Sequence, residues 1–143
     1  MSKQDLERID DLGTEAWNNH EPETFANWFA DEFVARDLMV PEPIRTREGA
    51  AAYMQSLLTA YPDLHVRLTN RVIGEDAVAG EVEFTGTNTG PMTIGGVEIP
   101  PTNKRVVGPS AYFIKVKDGQ VVEYSSYPDT VGTMIQLGLM QEP

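Results

Sequence analysis

The main change in the spacing of apolar residues along the chain falls near Tyr61–Pro62–Asp63, and this change limits the possible folds. Before the break, apolar residues recur every three or four positions, as on one face of an amphipathic helix. After the break they alternate with polar residues, as in half-buried strands. Helices gathered ahead of a run of strands predict an α+β fold with an antiparallel sheet.

Three helices are predicted before the break. The first covers residues 4–19, with acidic residues on its outer face, and the third runs from about Thr46 to Ala60. A short second helix begins near Pro22, because proline suits the first turn. Thr46 can cap the third helix through its hydroxyl group. The apolar face of the second helix comprises Phe25, Trp28 and Phe29.

Strands are predicted at Phe33–Ala35 and, after the break, in the alternating segments 64–68, 78–84, 111–116 and 121–127. Asp118–Gly119 is typical of a hairpin turn. Residues 86–103 are rich in Gly, Pro, Thr and Asn, which predicts a long loop or an irregular hairpin. A last short helix is predicted over residues 130–139.

Composition excludes several classes of function. The 143 residues, 41% of them hydrophobic, are enough for a single domain over residues 1–143. The absence of cysteine excludes disulfides, thiolate catalysis and zinc–thiolate sites. A net charge of −11 disfavours nucleic acid as a partner. The sequence predicts no signal peptide and no membrane span, so we expect a cytoplasmic protein.

Several segments, in order along nearly the whole chain, resemble the SnoaL-like polyketide cyclase family within the NTF2-like fold. They are residues 17–23 with 29–33, 61–64, 84–91 with 100–102, and 127–132 leading into 136–138. The resemblance implies a cone in which a curved antiparallel sheet and N-terminal helices close an internal pocket. It also implies intramolecular aldol ring closure of a polyketide ester, with no cofactor and no metal.

The acid of the family's final Pro-Asp motif falls on Asp129, which the resemblance identifies as the general acid/base. The chain differs from the ester-cyclase pattern nearby. Ser110 and Tyr112 stand where those enzymes tend to carry Gln and His, and Ser126 stands where many relatives have an acid.

Asp129 has two interpretations. A carboxylate at the mouth of an apolar pocket would be desolvated, with a raised pKa that makes it a better base. The same residue precedes the last helix, where Asp often serves as a cap. Tyr112 is likewise either a phenol that donates to a substrate enolate or a core tyrosine.

Other candidate substrate contacts are aromatic or charged. Trp17 and Tyr53 are candidates for the pocket wall, whereas Trp28 and Phe29 are expected in the core. Arg36 and Asp37 end the first strand, where relatives often carry a His–Asp pair. Only one of two adjacent strand residues can point inward, and the sequence does not say which.

The remaining polar residues favour structural roles. His20 is expected in a solvated turn and His65 on the outer face of a strand, and neither shares a ligand-like spacing with a carboxylate. Glu81 and Glu83 share one strand face, which predicts a solvated or dimer-forming sheet surface.

Three functions remain open from the sequence. One is a cyclase acting on a small hydrophobic carbonyl substrate. A hydroxylase or epoxide hydrolase could use the same pocket, the latter with Arg36 between Asp37 and Asp129. The third is a non-catalytic binding module. A homodimer is expected, because a curved sheet leaves a convex face to cover and the family usually pairs there.

Overall fold

The computed structural model describes residues 1–143. Its four helices are α1 (Lys3–Asn18), α2 (Pro22–Trp28), α3 (Arg47–Ala60) and α4 (Thr130–Gln136). Its seven strands are β1 (Phe29–Asp37), β2 (His65–Ile73), β3 (Ala77–Thr87), β4 (Met92–Ile94), β5 (Val97–Ile99), β6 (Arg105–Lys117) and β7 (Gln120–Pro128). The predicted α+β class is confirmed, since α1–α3 precede six of the seven strands.

Side-chain hydrogen bonds fix where α1 and α3 begin. The Asp5 backbone N–H donates to Ser2 Oγ, and the Ser2 N–H donates to the Asp5 carboxylate, both at 3.1 Å. The Gly49 N–H donates to Thr46 Oγ1 at 3.0 Å, which confirms the predicted cap. Each cap satisfies an N–H group that has no partner inside its helix, and is worth ~1 kcal/mol.

Five strands form one sheet in the order β1–β7–β6–β3–β2. The pairs β2–β3, β3–β6 and β6–β7 are antiparallel, as predicted. The predicted turn joins β6 to β7, with Asp118 and Gly119 at φ values of 51° and 79°. β1 lies at the edge beside β7 and runs parallel to it, which adds one parallel pair to the antiparallel sheet.

β1 is longer than the sequence pattern predicts. Helical spacing placed Phe29 in the second helix, and only Phe33–Ala35 was assigned to a strand, whereas β1 extends from Phe29 to Asp37. Phe29 pairs with Val121 of β7. A ladder to a strand that is distant in the chain therefore decides the conformation here, and local spacing does not.

Glycines end the last helix and turn a small hairpin. α4 ends at Gln136, before the predicted Leu139, and Gly138 follows with a φ of 77°. In the segment 86–103, β4 and β5 form the expected irregular hairpin, whose turn is Gly95–Gly96 at φ values of 58° and 80°. Glycine adopts such values without the steric cost that a Cβ atom adds.

The core lies between the helices and the inner face of the sheet. Phe25 and Phe29 are almost completely buried, with ring centroids 5.2 Å apart in an edge-to-face arrangement, so Phe29 is a core residue as expected. The outer face of the sheet leaves Val107, Phe113 and Tyr127 exposed. None of the helices has the length and hydrophobicity needed to cross a membrane.

Candidate active site

A cavity of about 490 Å³ lies between α1, α3 and the inner face of the sheet, and the Gly95–Gly96 turn contributes to its wall. Its aromatic lining residues are Trp17, Trp28, Tyr53, Tyr61, Phe84, Tyr112 and Tyr124. A concave, mostly apolar cavity of this size suits a small organic ligand. The predicted internal pocket closed by helices is therefore present.

The charged residues that line the cavity are all acidic. They are Asp10 from α1, Asp37 from the end of β1, and Asp129 between β7 and α4. No lysine, arginine or histidine is among the lining residues. The cavity therefore offers carboxylates and hydroxyl groups to a ligand, but no cationic side chain.

Asp129 lies at the mouth of the cavity and caps α4. Its Oδ1 accepts a hydrogen bond from the Gly132 N–H at 2.9 Å. A side chain at Gly132 would overlap this carboxylate, so glycine permits the contact. The cap interpretation is confirmed, whereas the predicted desolvation is not found, because Asp129 is exposed. The residue nevertheless forms part of the cavity wall, where a ligand can reach it.

The hydroxyl group of Tyr112, on β6, is bonded to Asp10. Tyr112 Oη lies 2.7 Å from both carboxylate oxygens, so the phenol donates to the carboxylate. This differs from the predicted role, in which the phenol donates to a substrate enolate. The ring lies against Gly80 of β3, where any side chain would overlap it. Burial, and then the Asp10 charge, raise the pKa of Tyr112.

Asp10 is the one buried charged residue of the chain, with 2% of its surface exposed. Arg71 of β2 donates to it at 3.1 Å and pairs with Glu7 and Asp11, each at 2.7 Å. Burial raises the pKa of Asp10, although the hydrogen bonds from Tyr112 and Arg71 oppose this. The prediction that the acids of the first helix fill its outer face is therefore wrong for Asp10.

A β-bulge turns Arg71 toward α1. The register between β2 and β3 shifts between Leu68 and Asn70. Val66 and Leu68 are half-buried before the shift, and Arg71 is half-buried after it. One extra residue reverses the alternation of a strand, so a strictly alternating pattern does not reveal the inward position of Arg71.

Of the two adjacent residues that end β1, Asp37 lines the cavity, whereas Arg36 is exposed and does not. Asp37 Oδ2 accepts a hydrogen bond from Tyr53 Oη at 2.6 Å, and its Oδ1 accepts one from the Met39 N–H at 2.8 Å. Burial, and then the charges of Tyr124 and Asp37, raise the pKa of Tyr53 well above its ordinary value. Tyr53 is thus a neutral donor that orients Asp37.

The other expected contacts also lie in the cavity wall. Ser110 is on β6, paired with Pro128 of β7. The Trp17 ring meets that of Tyr53 edge to face, with centroids 5.8 Å apart. Trp28, expected in the core, packs against the core and also lines the cavity. The structure therefore brings together all the predicted site residues except Arg36.

The histidines and the paired glutamates lie outside the cavity wall. His20 is exposed, as expected, but its Nε2 lies 2.7 Å from the Leu64 carbonyl oxygen and is hydrogen-bonded rather than merely solvated. His65 is exposed at the start of β2. Glu81 accepts from Asn70 at 2.9 Å on the exposed surface. No three acidic or histidine side chains converge in a group suited to a metal ion.

Sequence reasoning missed Asp10 and Arg71. Asp10 carried a signal, because it lies four residues after Leu6 and three before Gly13, and thus within the apolar stripe of α1. Gly80 carried another, because glycine inside a strand often marks a close approach of a neighbouring group. Arg71 carried none, since its orientation depends on the bulge.

Comparison with known proteins places these features in context. The family model of SnoaL-like polyketide cyclases matches residues 7–137. A search of curated proteins found no match to the chain.

Three solved structures illustrate the likeness. AclR, a proposed hydroxylase from Streptomyces galilaeus, is 22% identical with a TM-score of 0.82, over 99% of this chain and 86% of AclR. IdmH, a proposed polyketide cyclase from Streptomyces antibioticus, is 25% identical with a TM-score of 0.76, over 93% of this chain and 98% of IdmH. A protein with a ketosteroid isomerase-like fold from Catenulispora acidiphila is 18% identical with a TM-score of 0.77, over 94% and 97% of the two chains. The NTF2-like fold is thereby confirmed.

Proposed function

The chain belongs to the SnoaL-like polyketide cyclase family, and we propose that it closes a ring in a polyketide-like carbonyl compound by aldol condensation, without a cofactor. The observation that carries this proposal is the aromatic-walled cavity with the Asp129 carboxylate at its mouth. An aldol ring closure needs a base and a surface that folds the substrate so that its reacting atoms meet. This cavity supplies both.

In the proposed reaction, Asp129 removes a proton from a carbon atom between two carbonyl groups. The enolate carbon then attacks a second carbonyl carbon of the same molecule, which forms the new C–C bond and an alkoxide. The protonated Asp129 returns its proton to the alkoxide, so the step is redox-neutral and regenerates the carboxylate. A positioned base contributes typically ~10²–10⁴-fold to such a rate.

The cavity wall favours an uncharged substrate. Trp17 and Tyr53, whose rings are in edge-to-face contact, form one aromatic part of the wall against which a flat ligand can pack. The hydroxyl groups of Ser110 and Ser126 can donate to carbonyl oxygens. Asp37 has no cationic partner in the cavity wall. A free carboxylate would therefore meet like charge, which supports a neutral substrate such as an ester.

The epoxide hydrolase alternative loses its support. That interpretation required Arg36 between Asp37 and Asp129, and Arg36 is exposed outside the cavity wall. A hydroxylase and a binding module remain as outcomes of the test below.

We further propose that the chain forms a homodimer through the outer face of its sheet. Phe113 and Tyr127 are exposed there. Phe113 pairs across the sheet with Ala79 and Ser125, whose small side chains leave its ring uncovered. An exposed apolar patch on a sheet is typical of an interface.

The test compares wild type with Asp129→Asn on a panel of linear and tricyclic β-keto ester polyketides, with products identified by mass. Asp118→Asn is the matched control, because Asp118 is an exposed residue of the β6–β7 turn. Ring closure leaves the mass unchanged or removes water, whereas hydroxylation adds one oxygen atom. We expect a fall of at least ~10²-fold in Asp129→Asn alone. Equal turnover in all three proteins would refute the role of Asp129, and saturable binding without turnover would favour the binding module.

A further inference from the structure

The Asp10–Tyr112 pair at the inner wall of the cavity has no part in the reaction proposed above. Both residues line the cavity, and Asp10 has only 2% of its surface exposed. A carboxylate removed from water lowers stability unless it is paired and hydrogen-bonded. Here its partners are the Arg71 guanidinium and the phenol of Tyr112, and of these two only Tyr112 lines the cavity.

We propose that Asp10 positions Tyr112 as a hydrogen-bond acceptor, so that the inner wall of the cavity binds a hydroxyl group of the substrate, an enol or a phenol. This inference rests on the proposed function only in taking the cavity as the substrate site. The sequence suggested that Tyr112 donates a hydrogen bond to the substrate, whereas in this proposal Tyr112 accepts one.

The direction of the hydrogen bond follows from the partners. A carboxylate only accepts and a guanidinium only donates. Arg71 Nη1 donates to Asp10 Oδ2 at 3.1 Å, and Tyr112 Oη lies 2.7 Å from both carboxylate oxygens. The phenolic hydrogen therefore points at Asp10, and the lone pairs of Oη remain for a ligand. A hydrogen bond donated to a carboxylate polarises the phenol, which strengthens Oη as an acceptor.

The strands on either side of β6 fix the position of the Tyr112 ring. Tyr112 pairs with Gly80 of β3 and with Ser126 of β7. The phenol ring covers Gly80 so closely that a side chain there would overlap Cε1, Cζ and Oη. Tyr112 thus presents Oη in one place, as recognition of a single substrate hydroxyl group requires.

A hydrogen-bond acceptor at this position suits the substrate of an aldol cyclase. A β-dicarbonyl compound exists partly as its enol, whose O–H is a donor, whereas its keto form offers only acceptors. An acceptor at the inner wall therefore selects an enolised unit of the substrate other than the one that Asp129 deprotonates, or the phenol of a ring that has already formed.

The test uses two flat probes, 2-naphthol as a donor and 2-acetylnaphthalene as an acceptor, with dissociation constants from fluorescence titration. The measured quantity is the ratio of the two constants, acetylnaphthalene over naphthol, which cancels differences in general hydrophobic binding. In wild type we expect this ratio to be roughly 3- to 10-fold larger than in Tyr112→Phe, the effect of one hydrogen bond.

Asp10→Asn separates positioning from a merely structural role. Arg71 holds the amide oxygen, so the amide N–H faces Tyr112 Oη and the phenolic hydrogen turns to the cavity. The ratio should then fall below that of Tyr112→Phe, because Tyr112 has become a donor. Equal ratios in wild type and Tyr112→Phe, a uniform loss of affinity for both probes in Asp10→Asn, or failure of wild type to bind either probe would overturn the proposal.

Asp129→Asn distinguishes this inference from the proposed function. The binding ratio should be the same as in wild type, since Asp129 makes no hydrogen bond with Asp10 or Tyr112. A wild-type ratio together with normal turnover in this variant would refute the base and leave the acceptor intact. If Asp10→Asn fails to fold, the comparison of wild type with Tyr112→Phe still decides the outcome.

Discussion

The substitution Asn88→Ala should destabilise the β4–β5 hairpin, which forms part of the cavity wall. Asn88 is completely buried and joins three segments through its side chain. Its Nδ2 donates to the carbonyl oxygens of Ala60 at 3.1 Å and of Gly90 at 2.9 Å. Its Oδ1 accepts from the backbone N–H of Thr102 at 2.8 Å and from its hydroxyl group at 2.9 Å. One amide thus ties both ends of the hairpin to the end of α3.

The magnitude follows from these four bonds. Each contributes ~1 kcal/mol net, so their loss lowers the free energy of unfolding by about 4 kcal/mol. Buried partners that stay unpaired would add to this, and water entering the vacated space would reduce it. For a domain of this length, about 4 kcal/mol corresponds to a fall in Tm of about 12 °C.

Urea denaturation measures the loss, and amide hydrogen exchange shows whether the hairpin opens before the rest of the chain. Asn70→Ala is the matched control, because Asn70 makes one exposed hydrogen bond, to Glu81. It should change stability by less than about 0.5 kcal/mol. A loss below about 1 kcal/mol in Asn88→Ala, with unchanged exchange in the hairpin, would refute the anchoring role.

Three further predictions concern pH, packing and assembly. Burial raises the folded-state pKa of Asp10 above its usual 3.8, so the folded state binds more protons, and the free energy of unfolding falls as pH rises from 3.8 through that raised pKa. Relative to Asp10→Asn, wild type should therefore lose stability over this pH window. The backbone N–H of Thr87 lowers the pKa of Asp63, so wild type should gain stability relative to Asp63→Asn as pH rises through that lowered pKa. Denaturation at a series of pH values measures both changes. Gly80→Ala should displace the Tyr112 ring, lower stability by ~1–3 kcal/mol and remove the preference for 2-naphthol. An unchanged preference would contradict the close packing of the Tyr112 ring on Gly80. Phe113→Glu should convert the proposed dimer to a single chain of 15.8 kDa in light scattering, and a wild type of that mass would exclude the dimer.

Local interactions account for the parts of the fold that the sequence predicted. The beginnings of α1 and α3 depend on hydrogen bonds between residues three apart, and the β6–β7 turn depends on the backbone freedom of Asp118–Gly119. β1 was underestimated because its pairing with β7 is a long-range contact that leaves no periodic signal in its own residues. The same distinction applies to the candidate site. A local sequence motif identified Asp129, whereas Asp10 was recognised by its long-range contacts with Arg71 and Tyr112.

By itself, the sequence determined the α+β class, the order of the elements and the residues that cap or turn them. These depend on neighbours within a few positions and on hydrophobic spacing, both of which can be read along the chain. Only the tertiary structure decided that Asp37 lines the cavity, that Arg36 does not, and that Asp10 holds Tyr112 and Arg71, which are 102 and 61 residues away. The physical reason is that a bulge and the strand register set the direction of each side chain, and a shift of one residue reverses it.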